Sequence, residues 1–197
     1  SPVDSLRPLI VMLRFSARSA AAVSVLAQSR FVKAEFDDDC GVGYSTEQQL
    51  TNWSSTHSAI PSRLYEPKSS QEVVRVLQHF HEKKKKIRPV GTALSPNGIG
   101  MSNSDEDCMI SVANLDQISV DTSAMTCTVG AGITVSSLLA ELKKHGMTLE
   151  NFSSIQEQQM GGWTQVSAHG TGIKLPPVDE MIVDMQIATP AEGILSL

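Results

Sequence analysis

The chain has 197 residues, 41% hydrophobic, 19% charged and 5% aromatic, a balance expected of an ordinary soluble globular protein rather than a disordered one. Sixteen Lys and Arg against 21 Asp and Glu leave a net charge of −5, which argues against a nucleic-acid partner, and no apolar run approaches the ~20 residues of a spanning helix. Three cysteines, Cys40, Cys108 and Cys127, show no C-x-x-C spacing, so neither a disulfide scaffold nor a metal knuckle is expected.

The charge is unevenly spread. Residues 1–33 carry Arg7, Arg14, Arg18, Arg30 and Lys33 against Asp4, a net +4, which leaves −9 on the remainder. The stretch from Met12 to Arg30 is rich in Arg, Ser and Ala and free of acids. That is the composition of a mitochondrial transit segment working as a basic amphipathic helix; the alternative is a flexible basic arm. Residues 34–64 read as a lead-in without strong periodicity.

From there strands and helices alternate. Ser69-Ser-Gln-Glu72 is a capping box, and Val73, Val74, Val76, Leu77 and Phe80 form a helical stripe closed by Lys83 to Lys86. Ile87–Val90 and Met109–Val112 read as strands, and Ile118–Asp121 with Thr126–Val129 as a hairpin in which Cys127 is a small buried hydrophobe. Thr134 caps a second helix with Val135, Leu138, Leu139 and Leu142 on one face, stopped by Gly146. A last strand covers Met185–Ala188. The pattern is α+β.

Two glycine-bearing stretches could meet a phosphorylated cofactor. One runs from Arg88 to Gly100, directly after a strand, where successive amides can form an anion-binding concavity and Ser95 and Asn97 add donors. The other, Gln159 to Gly172, holds four glycines around His169. Neither is a Walker A or a Rossmann turn, and by spacing alone glycine loops are more often plain turns and a lone His169 more often a structural histidine.

Order and identity carry more. Pro67-x4-Glu72-Val-Val, Ile87-Arg-Pro-Val-Gly-Thr-Ala-Leu-Ser-Pro-Asn-Gly98, Val129-Gly-Ala-Gly-Ile133 and Gly161-Gly with His169-Gly-Thr-Gly172 resemble the FAD-binding domain of the vanillyl-alcohol-oxidase-type flavoproteins. Asn52-Trp-Ser-Ser-Thr-His57, Thr148-Leu-Glu-Asn-Phe-Ser-Ser-Ile155, Glu157-Gln-Gln159 and Leu175-Pro-Pro-Val-Asp-Glu180 resemble, more narrowly, its mitochondrial L-galactono-1,4-lactone dehydrogenase branch. The resemblance runs from about Asn52 to Leu197.

It implies FAD as cofactor, with the backbone of Val90, Gly91, Thr92, Ala93, Leu94 and Ser95 facing the two phosphates. Leu94 stands where covalent relatives carry a histidine, so the FAD would be non-covalent. Ser153, Ser154, Gly161, Gly162, Gln165, Ala168, His169 and Gly170 would line the flavin and its diphosphate-ribityl arm. Three positions depart from the family pattern: Trp163 replaces an aliphatic residue, and Ala93 and Ser167 replace glycines. The family oxidises a lactone by hydride transfer to flavin and passes the electrons to cytochrome c.

The resemblance also implies a domain over 65–197 whose second subdomain is incomplete and whose cap domain, with the family's catalytic pair, is absent from this chain; no residue here is assigned as catalytic, and no metal is expected. The partners implied are a chain carrying the cap or subunits of respiratory complex I, with inner-membrane association through those partners only. Three readings follow: the FAD-binding part of an active lactone dehydrogenase, a catalytically silent structural or assembly subunit that has lost its flavin, and a freestanding nucleotide-binding module, which would leave sheet edges unpaired.

Overall fold

The computed structural model describes residues 9–16, 18–19, 35–36, 40–102 and 108–197. Most of the basic segment at 1–33 and residues 34 and 37–39 of the lead-in lie outside them. In chain order the elements are β1 (Leu9–Ser16), β2 (Arg18–Ser19), β3 (Glu35–Phe36), β4 (Gly43–Ser45), β5 (Leu50–Thr51), β6 (Ser58–Ala59), β7 (Leu64–Tyr65), α1 (Ser70–Glu82), β8 (Ile87–Val90), β9 (Cys108–Ser111), β10 (Ile118–Asp121), β11 (Thr126–Gly130), α2 (Val135–Lys144), β12 (Met147–Thr148), α3 (Met160–Gln165), β13 (Ile182–Thr189) and β14 (Gly193–Ser196). This is the α+β architecture expected from the sequence.

Two sheets carry it. One has the order β3-β4-β7-β9-β8; β7 and β8 run parallel to β9, and β3 and β4 join antiparallel. The other, β10-β11-β1-β13-β14, is antiparallel throughout.

Helix α1 forms where its capping box ends the preceding loop. Ser69 Oγ accepts from the Glu72 amide at 3.2 Å, while the Glu72 carboxylate reaches back to the Lys68 amide at 2.7 Å. Its buried face, Val73, Val76, Leu77 and Phe80, joins Tyr65 and Ile110 of one sheet and Val129 and Ala188 of the other in a single core. Each such side chain contributes about 2 kcal/mol relative to leaving it exposed. Helix α2 repeats the device: Thr134 Oγ1 accepts from the Ser137 amide, Val135, Leu138 and Leu142 are buried, and Gly146 leaves the helix at φ +68°.

Strand β1 departs from expectation. Residues 9–16 of the basic segment are extended, not part of an amphipathic helix, and fill the place between β11 and β13. Leu13 and Phe15 are fully buried, while the half-exposed Arg14 donates to Thr126 Oγ1 at 3.2 Å and pairs with Asp184 at 3.4 Å. Two open ladders and an apolar face outweigh what basic composition favours locally. The lead-in also forms strands, β3 to β7, too short for periodicity to reveal. Met109–Val112 is shifted by one to Cys108–Ser111, and Met185–Ala188 extends to Ile182–Thr189. Among the described residues no helix is long and apolar enough to cross a membrane.

Candidate cofactor site

The first glycine loop leaves β8 at the buried Val90. Its carbonyl oxygens are held from one side by the turn at residues 52–57. The Trp53 amide donates to Ala93 O, Asn52 Nδ2 to Ser95 O and Thr56 Oγ1 to Pro96 O, each at 3.1 Å. Asn52 is itself buried, and its Oδ1 accepts from the amides of Thr56 and His57 at 3.0 and 3.1 Å. With the carbonyls anchored there, the amides of Thr92, Ala93, Leu94 and Ser95 donate no hydrogen bond among the described residues. A run of undonated amides on an exposed turn is the arrangement that takes an anion. Ala93 holds φ +54°, left-handed backbone that favours glycine, and packs on a small apolar cluster with Val90, Met101 and Met109.

The second stretch is built differently. It is not a continuous loop, because residues 160–165 form α3 despite two glycines. Residues 156–161 zip along 131–136: the amides of Val135 and Ser136 donate to Gln158 O and Gln156 O, and those of Met160 and Gly161 to Ile133 O and Ala131 O, at 2.9 to 3.0 Å. Gly161 lies so close that an added Cβ would sit 3.0 Å from Ala131 Cβ, whereas one at Gly162 would meet open space. Gln165 Nε2 donates to Gly161 O. Trp163 is fully buried; its indole N–H donates to Ser153 Oγ at 3.0 Å and its ring lies 6.4 Å from that of Phe15 in β1.

Beyond α3, Asn151 organises the chain: its Oδ1 accepts from the Gly170 amide and its Nδ2 donates to Pro176 O, both at 2.9 Å. Ala168 is half-buried and its carbonyl accepts from the Val178 amide; Ser154 and His169 are exposed, with His169 Nδ1 2.8 Å from Gly170 O. Ser167 is left-handed at φ +51°, and its Oγ donates to Asp179 Oδ1. Both departures from glycine, Ala93 and Ser167, thus fall where a Cβ is disfavoured by backbone conformation.

The two stretches meet at one point. A Cβ on Gly91 would stand 3.0 Å from Gln159 Oε1, a buried oxygen with no hydrogen-bond partner. Beside it lies an open cavity of about 290 Å³ lined by Asp116, Gly132, Thr134, Ser137 and Gln159. Ser153 and Ala168 instead bond to Trp163 and Gly170 to Asn151, and no hydrogen bond joins residues 153–154 or 168–170 to the first loop among the described residues. Sequence reasoning passed over Asn52, Asn151 and Gln159 as individual residues, although all three lie in the phrases that carried the resemblance.

Undonated amides, a glycine at the point of closest approach and an unpaired buried acceptor suit a dinucleotide with a diphosphate and sugar hydroxyls. Among the described residues no three His, Cys, Asp or Glu side chains are placed to hold a metal. Two of the three thiols are buried, and burial raises the pKa of Cys108 and pushes that of Cys127 up to about 11.

Residues 61–197 match the model of the family described as "FAD binding domain". The chain is 45% identical over 149 residues to the mitochondrial L-galactono-1,4-lactone dehydrogenase of Arabidopsis thaliana, covering 75% of this chain and 24% of that protein. It is 30% identical over 148 residues to the L-gulonolactone oxidase of Bos taurus, covering 75% of this chain and 33% of that one. The chain therefore spans between a quarter and a third of the length of these curated relatives. Cholesterol oxidase from Brevibacterium sterolicum superposes with a TM-score of 0.69 at 19% identity, over 85% of this chain and 35% of that one, which shows a shared fold. Strand β1 and the turn at 52–57 precede the matched stretch, yet β1 completes the sheet and the turn holds the loop that follows β8. With the α+β fold of the vanillyl-alcohol-oxidase type and FAD as its cofactor, the chain belongs to the FAD-binding domain family.

Proposed function

We propose that this chain is the FAD-binding part of a mitochondrial aldonolactone dehydrogenase, acting on L-galactono-1,4-lactone or a close analogue. The observation that carries the reading is the amide run at Thr92–Ser95, held open by Asn52 inside a sequence 45% identical to such an enzyme. FAD, when bound, supplies the hydride acceptor for lactone oxidation, and the electrons pass to the respiratory chain through cytochrome c. The chain's own residues bind and orient: the 92–95 amides hold the diphosphate, without a covalent link at Leu94, and the turn at 52–57, with Asn52 on Ser95 O, keeps the loop's carbonyls away from it. A polypeptide carrying the cap domain supplies the substrate pocket in this reading, and association with the inner membrane runs through partners.

A second reading has its own support. Ala93 and Ser167 put side chains on left-handed backbone in both stretches, and Trp163 engages Ser153 Oγ from within the fold. These features suit a relative that has lost its flavin, which in this reading is kept as a structural or assembly subunit of respiratory complex I. Flavin absorbance and acid release on the natively isolated protein, partners attached, separate the two. Released FAD supports the first reading and a flavin-free preparation the second.

A further inference from the structure

We propose that the side-chain carboxamide of Gln159 is a cofactor-binding group, its oxygen accepting a hydrogen bond from a sugar hydroxyl beside the FAD diphosphate. The inference rests on the reading of this chain as one that binds FAD. Gln159 is nine-tenths buried and its Oε1 has no partner. A buried carbonyl oxygen that the fold leaves unpaired is costly, so a donor arriving from outside is the economical explanation for its placement.

The backbone fixes where that oxygen points. The Gln159 carbonyl accepts from the Trp163 amide at 2.9 Å, and the residue forms an antiparallel bridge with Thr134. From there Oε1 faces Gly91, where the missing side chain leaves room at the start of the amide run. The adjoining cavity is lined by Asp116, Ser137 and the capping Thr134, whose own hydroxyl is engaged with Ser137; a carboxylate-bearing and a hydroxyl-bearing residue suit a polyhydroxylated sugar.

Phosphate is the poorer assignment for this spot. The first amides of α2 are already used: Val135 and Ser136 donate to Gln158 O and Gln156 O, and Ser137 to Thr134 Oγ1. The undonated amides belong to Thr92–Ser95, so the anion goes there and Gln159 meets its neighbour. A carboxamide oxygen requires a donor, and the groups flanking a dinucleotide diphosphate that donate are sugar hydroxyls.

The test uses the full chain, isolated with its native partners, as wild type, Gln159→Met and Gln159→Glu, with FAD as the probe. FAD affinity is read by flavin fluorescence, and the melting temperature is read on flavin-free protein. Gln159→Met is expected to weaken FAD about tenfold, the worth of one hydrogen bond at the upper end of its range, while the flavin-free form melts no lower than wild type. Gln159→Glu keeps an acceptor but brings a negative charge towards the diphosphate, so its binding weakens and recovers partly with added salt.

A Met variant that binds FAD as tightly as wild type overturns the assignment and leaves the FAD reading standing. A Met variant whose flavin-free form melts well below wild type also overturns it, because Gln159 is then a structural brace. Wild-type protein without measurable FAD binding overturns both.

Discussion

The two glycine-bearing stretches look alike in composition and are built for different tasks. In the first, outside residues take the carbonyls and leave the amides of Thr92–Ser95 undonated. In the second, amides at Met160, Gly161, Ser167, Ala168 and Gly170 donate within the fold, and the glycines let backbones close on one another. The content of a glycine loop therefore depends on where its hydrogen bonds go rather than on its glycine count.

The contrast can be broken by substitution. Within these two stretches the largest stability loss is expected from Gly170→Ala, whose Cβ would stand 2.5 Å from Asn151 Oδ1 and 2.7 Å from Phe152 O. Chemical denaturation should show a loss of about 2–3 kcal/mol. Gly91→Ala crowds only the end of the Gln159 side chain, so it should leave stability within about 1 kcal/mol and act on FAD binding instead. Equal stability losses at both positions would erase the distinction.

Asn52→Ala sharpens it from the other side. It removes the acceptor for two amides and the donor to Ser95 O, with an expected loss of about 2 kcal/mol together with weaker FAD binding. Ala93→Gly relieves left-handed backbone and should raise stability by about 1 kcal/mol. Ser167→Gly should raise it by less, since it gives up the hydrogen bond to Asp179.

The smallest effect lies in the sheet behind the second stretch. The Cys127 thiol, pushed up to about 11 by burial, stays neutral in the fold while the unfolded chain ionises it from about pH 9. Its contribution is constant below pH 9 and turns destabilising as pH rises towards 11, a decline that Cys127→Ala should remove. Thiol reagents at pH 8 should leave Cys127 unmodified until the protein unfolds.

What the sequence revealed followed local physics. Caps at Ser69 and Thr134 and the apolar faces of α1 and α2 are each read from residues within a turn or two, and the β10–β11 hairpin from alternation. Strand β1 was not legible, because its extended form is decided by β11 and β13, residues more than a hundred positions away. Helix α3 was hidden by Gly161 and Gly162, which local propensity disfavours and burial of Trp163 outweighs. Within the site, the amide run lies where the strand-then-loop pattern put it. The parts played by Asn52 and Gln159 were invisible, because each depends on a partner about 40 or more residues distant: Ser95 for one, Gly91 for the other. Ala93 and Ser167 stood out as departures from a family pattern, and torsion angles give the physical reason that glycine suits them.

The most direct test of the central claim is amide hydrogen exchange on the natively isolated protein, flavin-free and then with added FAD. Diphosphate held by the first loop predicts strong new protection at Thr92–Ser95 and little change at the already donated amides of Met160 and Gly161. Protection confined to the second stretch, or none at Thr92–Ser95 with FAD bound, would contradict it.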